Sequence, residues 1–187
     1  TREWYPSSDQ ALEVLQIDEV GTEHSPRLGV YSRWGWTHPG PLLFYLAPPL
    51  QTLVGSGGVL LSIGLLNGAA TAVAALAAWR RGGPPLLAIV VGVLLLVLRT
   101  VGADRLVDPW NPSVVLVPLF ALGLVCWSVA ERDVWSLPVA VLLGSFVVQA
   151  HVGVALLVAA LGVAALALSW RGTSRRGLGE PALLGRV

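Results

Sequence analysis

The sequence predicts an all-α protein: a polytopic transmembrane helical bundle preceded by a polar segment that carries short interfacial helices. Three observations carry that prediction. Mean hydropathy is +0.71. Hydrophobic residues make up 55% of the 187 and charged residues only 12%, a balance foreign to a soluble domain of this size. Finally, the polar residues gather ahead of the apolar runs, with Asp9, Glu13, Asp18, Glu19 and Glu23 all falling in positions 1–40.

Residues 1–40 are expected to form an external loop. The run 8–18 places apolar residues at 11, 12, 14, 15 and 17, a pattern that suits a short helix lying on the membrane interface. Ser8 or Asp9 is a reasonable N-cap. Asp9 and Glu13 are four apart, so both carboxylates share one helical face. Such a pair can serve as a general base with an orienting partner, hold a divalent cation, or be a solvated face with a capping Asp. The junction Tyr31-Ser32-Arg33-Trp34-Gly35-Trp36-Thr37-His38-Pro39-Gly40-Pro41 then leads from polar chain into apolar chain.

Residues 41–170 form the expected transmembrane region. Spans are read at 57–79, 84–101, 113–130 and 152–170, each with roughly 18 or more residues, enough for about 30 Å of hydrocarbon. Two shorter runs, 41–54 and 137–148, suit half-helices or re-entrant segments bordering a cavity. Pro48-Pro49 breaks the first of them. Arg80-Arg81 and the run 171–187, with Arg171, Arg175 and Arg176, are the basic loops, and the positive-inside rule assigns both to the cytoplasm. The loop 103–112 then falls outside, 131–133 inside and 149–151 outside.

Other classes lose ground on composition. A net charge of +1 gives no reason to invoke nucleic acid, and the single Cys126, inside an apolar run, allows no disulfide framework. All twelve basic residues are Arg, and Lys and Met are absent, which reads as the codon bias of a GC-rich bacterial genome. The opening Thr1-Arg2-Glu3 reads as the interior of a longer protein, with a helix expected ahead of it and more chain after Val187.

Two further groups of residues carry chemistry. In Asp104-Arg105-Leu106-Val107-Asp108-Pro109-Trp110-Asn111-Pro112, two prolines bar regular helix around Trp110, which suits an interface anchor. Asp108 either complements the dipole of the helix that follows or faces the same aqueous cavity as Asp9. In Ser145-Phe146-Val147-Val148-Gln149-Ala150-His151-Val152-Gly153, a Gln and a His two apart in an apolar region are costly unless they face a polar cavity or bridge a helix break. Arg99, near the end of its span, either snorkels to the interface or pairs with a phosphate.

In this order, the acidic segment, the junction running into Leu42-Leu43-Phe44-Tyr45-Leu46, the Asp-Pro-Trp-Asn-Pro loop and Gly-Ser-Phe-Val-Val-Gln-Ala-His-Val-Gly resemble the N-terminal half of bacterial membrane glycosyltransferases of the GT-C class. These are relatives in architecture of protein mannosyltransferases and lipid A aminoarabinose transferases. The resemblance covers about Ser8 to Val154. It implies a polyprenyl-phosphate sugar as donor, an envelope glycan, lipid or protein as acceptor, and inversion at the anomeric carbon. Asp9 would be the catalytic base, with Asp18 as the alternative, and Asp108 the second catalytic acid. Glu13, Arg33, His38, Asn111, Gln149 and His151 would bind substrate, with Arg33 and His38 suited to the lipid phosphate. A divalent cation is possible, although no Asp-x-Asp pair is present. The resemblance also implies that both acidic loops are external, so that 41–54 does not fully cross, in a bacterial cytoplasmic membrane. The rival reading is a transporter or flippase component, for which broken helices, an intramembrane His and Arg99 would equally serve. A third is an assembly scaffold packing through Gly64 to Gly68.

Overall fold

A computed structural model describes residues 4–32 and 34–177, with side chains described up to 171. Helix accounts for 75% of it and strand for almost none. The helices are α1 (Asp9–Asp18), α2 (Leu42–Leu46), α3 (Pro48–Val54), α4 (Gly57–Val101), α5 (Asn111–Val114), α6 (Leu116–Ala130), α7 (Ser136–Ala150) and α8 (Ala155–Gly177). Three stretches are long and apolar enough to cross a membrane: Gly57–Val101, Asn111–Ala130 and Val152–Arg171. The apolar stretch of the second is 61% buried inside the protein, against 11% and 6% for the other two. The chain therefore packs around α6, and the outer faces of α4 and α8 present uncovered Leu, Ile and Val, as lipid-facing helices do.

The 45 residues of α4 are two helical halves meeting at Gly83, whose φ of 61° and ψ of −154° are non-helical. Pro84 and Pro85 follow, and a proline pair can open a helix because its missing N–H groups would go unpaired there anyway. The halves run back on each other. Asn67 Nδ2, in the first, donates to the Leu106 carbonyl at 2.7 Å, just past the second. Leu106 belongs to a 3-10 turn, Ala103–Leu106. One expectation is corrected here: residues 80–82 are not a loop, because Trp79, Arg80 and Arg81 are all compatible with helix and only Gly83 leaves it.

The main core joins Ala70, Ala74 and Ala78 of the first half, Val90 and Leu94 of the second, and Ala121, Leu122 and Val125 of α6. The alanines let the helices approach closely. A second cluster sets Leu43 of α2 against Ile63, Val114, Phe146 and Val147. A third pins Ile17 of α1 to Phe44, Ala47 and Val59.

Residues 41–54 become two short helices divided at Ala47, the second opening on Pro48, and neither leaves the end of the bundle at which α4 begins. The junction, read from sequence as a loop, holds a small hairpin in which β1 (Tyr31–Ser32) pairs antiparallel with β2 (Trp36–Thr37). Gly35 (φ +88°) lies in its turn, where a Cβ would be strained.

Two ends result. At one lie α1, the hairpin, α2, residues 103–112 and His151. At the other lie Arg80, Arg81, residues 131–135 and the last turns of α8. There Arg81 donates to Ser128 Oγ at 3.1 Å and to Asp133 Oδ2 at 3.0 Å, Arg80 joins Asp133 at 3.2 Å, and Arg132 Nε donates to the Ser169 carbonyl.

Candidate functional site

The polar residues singled out by sequence gather at the first end, drawn from stretches about a hundred residues apart. Asp9 opens α1, in the first turn, where a carboxylate complements the helix dipole. Ser8 occupies the N-cap position, but its hydroxyl makes no capping bond. Asp9 is exposed and accepts one hydrogen bond from a distant side chain, the Trp110 indole Nε1–H, to Oδ2 at 3.2 Å.

One turn along the same face, Glu13 points inward and is 1% exposed. Its Oε1 accepts the Asn111 backbone N–H at 3.2 Å, while Oε2 has no hydrogen-bond partner among the described residues. Burial raises its pKa to about 8. The Asn111 N–H opposes the shift, and the nearby charges of Asp108 and Asp9 add to it. Glu13 is thus largely protonated at neutral pH, which lets an acid sit in a closed site without a cation.

Asp108 is buried and fully engaged. Its Oδ1 accepts Gln10 Nε2 at 2.9 Å and the Trp110 N–H at 3.0 Å, and its Oδ2 pairs with Arg105 Nη1 at 2.7 Å. The Arg105 guanidinium also lies 5.4 Å from the centre of the Trp110 ring. Asp108 thereby fixes the indole that in turn holds Asp9.

His38 is buried beside Asn111. Its Nδ1 accepts the Val152 N–H at 3.1 Å, and its Nε2 lies 2.8 Å from Asn111 Nδ2, the donor there being set by the imidazole tautomer. Both ring nitrogens are therefore held by protein. Asn111 Nδ2 also donates to the Ala150 carbonyl at 3.2 Å. His151 stands 5.2 Å from His38, ring centre to ring centre, and its Nδ1 has no hydrogen-bond partner among the described residues. Burial lowers both pKa values, and for His38 the neighbouring His151 lowers it further, so both rings are neutral at pH 7.

These groups border a cavity of about 500 Å³, with Asp9, His38, Asn111 and His151 on its polar side and Trp34, Trp36 and Trp110 around it. A neighbouring cavity of about 540 Å³ is mixed, lined by Leu12, Leu15 and Leu28 but also by Gln16, Glu19 and Arg27, and shares Val30 and Tyr31 with the first.

Of the residues expected from sequence, Asp9, His38, Asn111 and His151 line the polar cavity, while Glu13 lies buried behind it and Asp108 flanks it. Gln149 lies elsewhere. It donates to Ser145 Oγ at 2.8 Å, and its side chain fills the space where a Cβ on Gly40 would be. It is the seat of the junction rather than a cavity wall. Asp18, the alternative base, accepts Gln51 Nε2 at 2.6 Å and is not among the residues lining this cavity. Arg33 lies outside the described residues. Sequence reasoning missed Trp34 and Trp36 as cavity residues. The signal was a Trp-Gly-Trp inside polar chain, where indoles have little reason to cluster unless they stack on something.

No three His, Cys, Asp or Glu side chains among the described residues converge on a point that could hold a metal ion. Asp9 and Asp108 are separated by Trp110, and Asp108 has both oxygens engaged, so no step below runs through a cation. No family model, curated protein or solved structure matches the chain.

Proposed function

We propose that this protein is a multi-pass membrane glycosyltransferase of the GT-C kind in a bacterial cytoplasmic membrane. It moves a sugar from a polyprenyl-phosphate donor to an envelope acceptor at the external face, with inversion. The single observation that carries the reading is the exposed Asp9 carboxylate, held by one indole N–H at the edge of an aromatic-lined cavity.

In this mechanism Asp9 takes the proton of an acceptor hydroxyl as its oxygen attacks the anomeric carbon. The bond from that carbon to the phosphate oxygen breaks, and polyprenyl phosphate leaves with the electron pair. The Trp110 indole N–H orients the carboxylate for that proton transfer. The phosphate needs donors on the leaving side. Arg33 suits that task by its guanidinium fork, and His151, which lines the cavity, suits it better than His38, whose nitrogens are occupied.

One observation favours a second reading, a proton-coupled transporter. A buried, protonated Glu13 near the buried His38 and the half-buried His151 is what a proton path would use. Membranes containing the protein, supplied with a panel of radiolabelled polyprenyl-phosphate sugars, separate the two. Transfer with inverted anomeric configuration supports the enzyme. No transfer from any donor, together with proton-driven uptake of an envelope precursor, supports the transporter.

A further inference from the structure

We infer that the acceptor is a carbohydrate chain, bound from the aqueous side by the aromatic walls of the cavity that Asp9 faces. This deepens the sugar-transfer reading and rests on it for the chemistry, though the binding itself can be measured without any transfer. Three indoles and a phenol meet there. Trp34 and Trp36 flank the hairpin turn, Tyr31 stands on the paired strand, and Trp110 comes from the loop before α5. Tyr31, Trp34 and Trp36 are 66%, 68% and 48% exposed, so large aromatic rings stand at the surface of a segment that carries no span. Such surface is expensive in a folded protein unless a ligand covers it.

The chemistry of that ligand follows from what surrounds the rings. A sugar presents flat C–H faces that stack on indoles and a rim of hydroxyls that need polar partners. Here the partners are the Asp9 carboxylate and the Ser8 and Ser32 hydroxyls, with the His151 ring beside them in the cavity lining. A quaternary ammonium would be the other ligand for an aromatic cage. It fits less well, because Arg105 already lies against the Trp110 ring and a second cation would be repelled. A cavity of about 500 Å³ is also sized for more than one small cationic headgroup. The approach is from water because the walls come from α1, the hairpin, the loop before α5 and the turn after α7, all at one end of the bundle. A lipid-borne donor would come along the apolar faces of the helices. The two substrates then meet at Asp9 from different directions.

The test uses the whole chain in lipid nanodiscs and saturation-transfer NMR. The probes are short oligosaccharides of arabinose, mannose, galactose and glucose, with choline as the cationic control. The expected result is saturation of ring C–H protons in at least one oligosaccharide, with an affinity that falls on the order of tenfold in Trp36→Ala and largely returns in Trp36→Phe. If Trp36→Ala does not fold, Trp34→Ala is read in the same way. The inference is overturned if no oligosaccharide binds, if both alanine variants bind like wild type, or if choline alone is saturated. Transfer to a lipid or protein acceptor with no oligosaccharide binding would sink this inference and leave the enzyme reading standing. Oligosaccharide binding with no transfer from any donor would do the reverse.

Discussion

The two ends of the bundle treat their carboxylates in opposite ways. At the arginine end, Asp133 meets two guanidinium groups, and Arg81 also holds Ser128, so the charge is matched and a turn between helices is clamped. At the other end, Asp9 has one indole N–H, and Glu13 is buried with one oxygen that finds no partner among the described residues. The first arrangement is what stability alone would select. The second costs folding free energy, since a buried acid must either give up its charge or go unpaired. In the function proposed above, these acids beside a cavity mark the end at which chemistry would be done. Asp108 falls between the two: paired with Arg105 like Asp133, yet placed to fix the indole that holds Asp9.

The comparison can be broken by changes at either end. One such change is Gly40→Ala, whose Cβ would push aside the Gln149 side chain and break its bond to Ser145. Overpacking of this kind costs about 1–3 kcal/mol, read as lost thermal stability in detergent, and it displaces His38 with the junction. Adding Gln149→Ala should recover most of that loss, since it removes the colliding atoms. Next comes Arg81→Ala, which leaves Ser128 and Asp133 with fewer partners. It should lower stability by about 1–3 kcal/mol while sugar transfer per folded molecule stays at the wild-type level. A loss of transfer there would erase the distinction between the ends.

A third change, and the one sharpest in form, is Glu13→Gln. The folded-state pKa of about 8 lies above the ordinary value of 4.5. The favourable contribution of protonated Glu13 is therefore complete below about pH 4.5 and is lost as pH rises through about 8. Wild type should lose thermal stability across that window. Gln, always neutral, should not, so the two melting curves should nearly coincide at low pH and separate by pH 9. Parallel curves would mean that Glu13 is ionised in the fold.

Much of the bundle was legible in local pattern. Apolar runs gave the helices to within a few residues, and Gly83-Pro84-Pro85 marked where α4 turns, although Arg80 and Arg81 proved helical. The site was legible as residue types and not as roles. Asp9 and Glu13 share a helical face as their spacing requires, but which of them is buried depends on Asn111, 98 residues away. His38 looks free in sequence, and only Val152, 114 residues away, together with Asn111, shows that its nitrogens are taken. Gln149 looks like a cavity residue until Gly40 is seen to rest on it. In each case the deciding partner is long-range, and no periodicity encodes it.

The most direct test of the central claim sets Asp9→Asn beside Asp133→Asn at equal expression, with donor binding and sugar transfer measured on the same membranes. Asp9→Asn should bind donor normally and lose transfer by a factor on the order of a hundred or more, the usual contribution of a general base. Asp133→Asn should lose stability and keep its transfer rate per folded molecule. Transfer undiminished in Asp9→Asn would contradict the account, because the exposed acid of the cavity would then have no part in the chemistry.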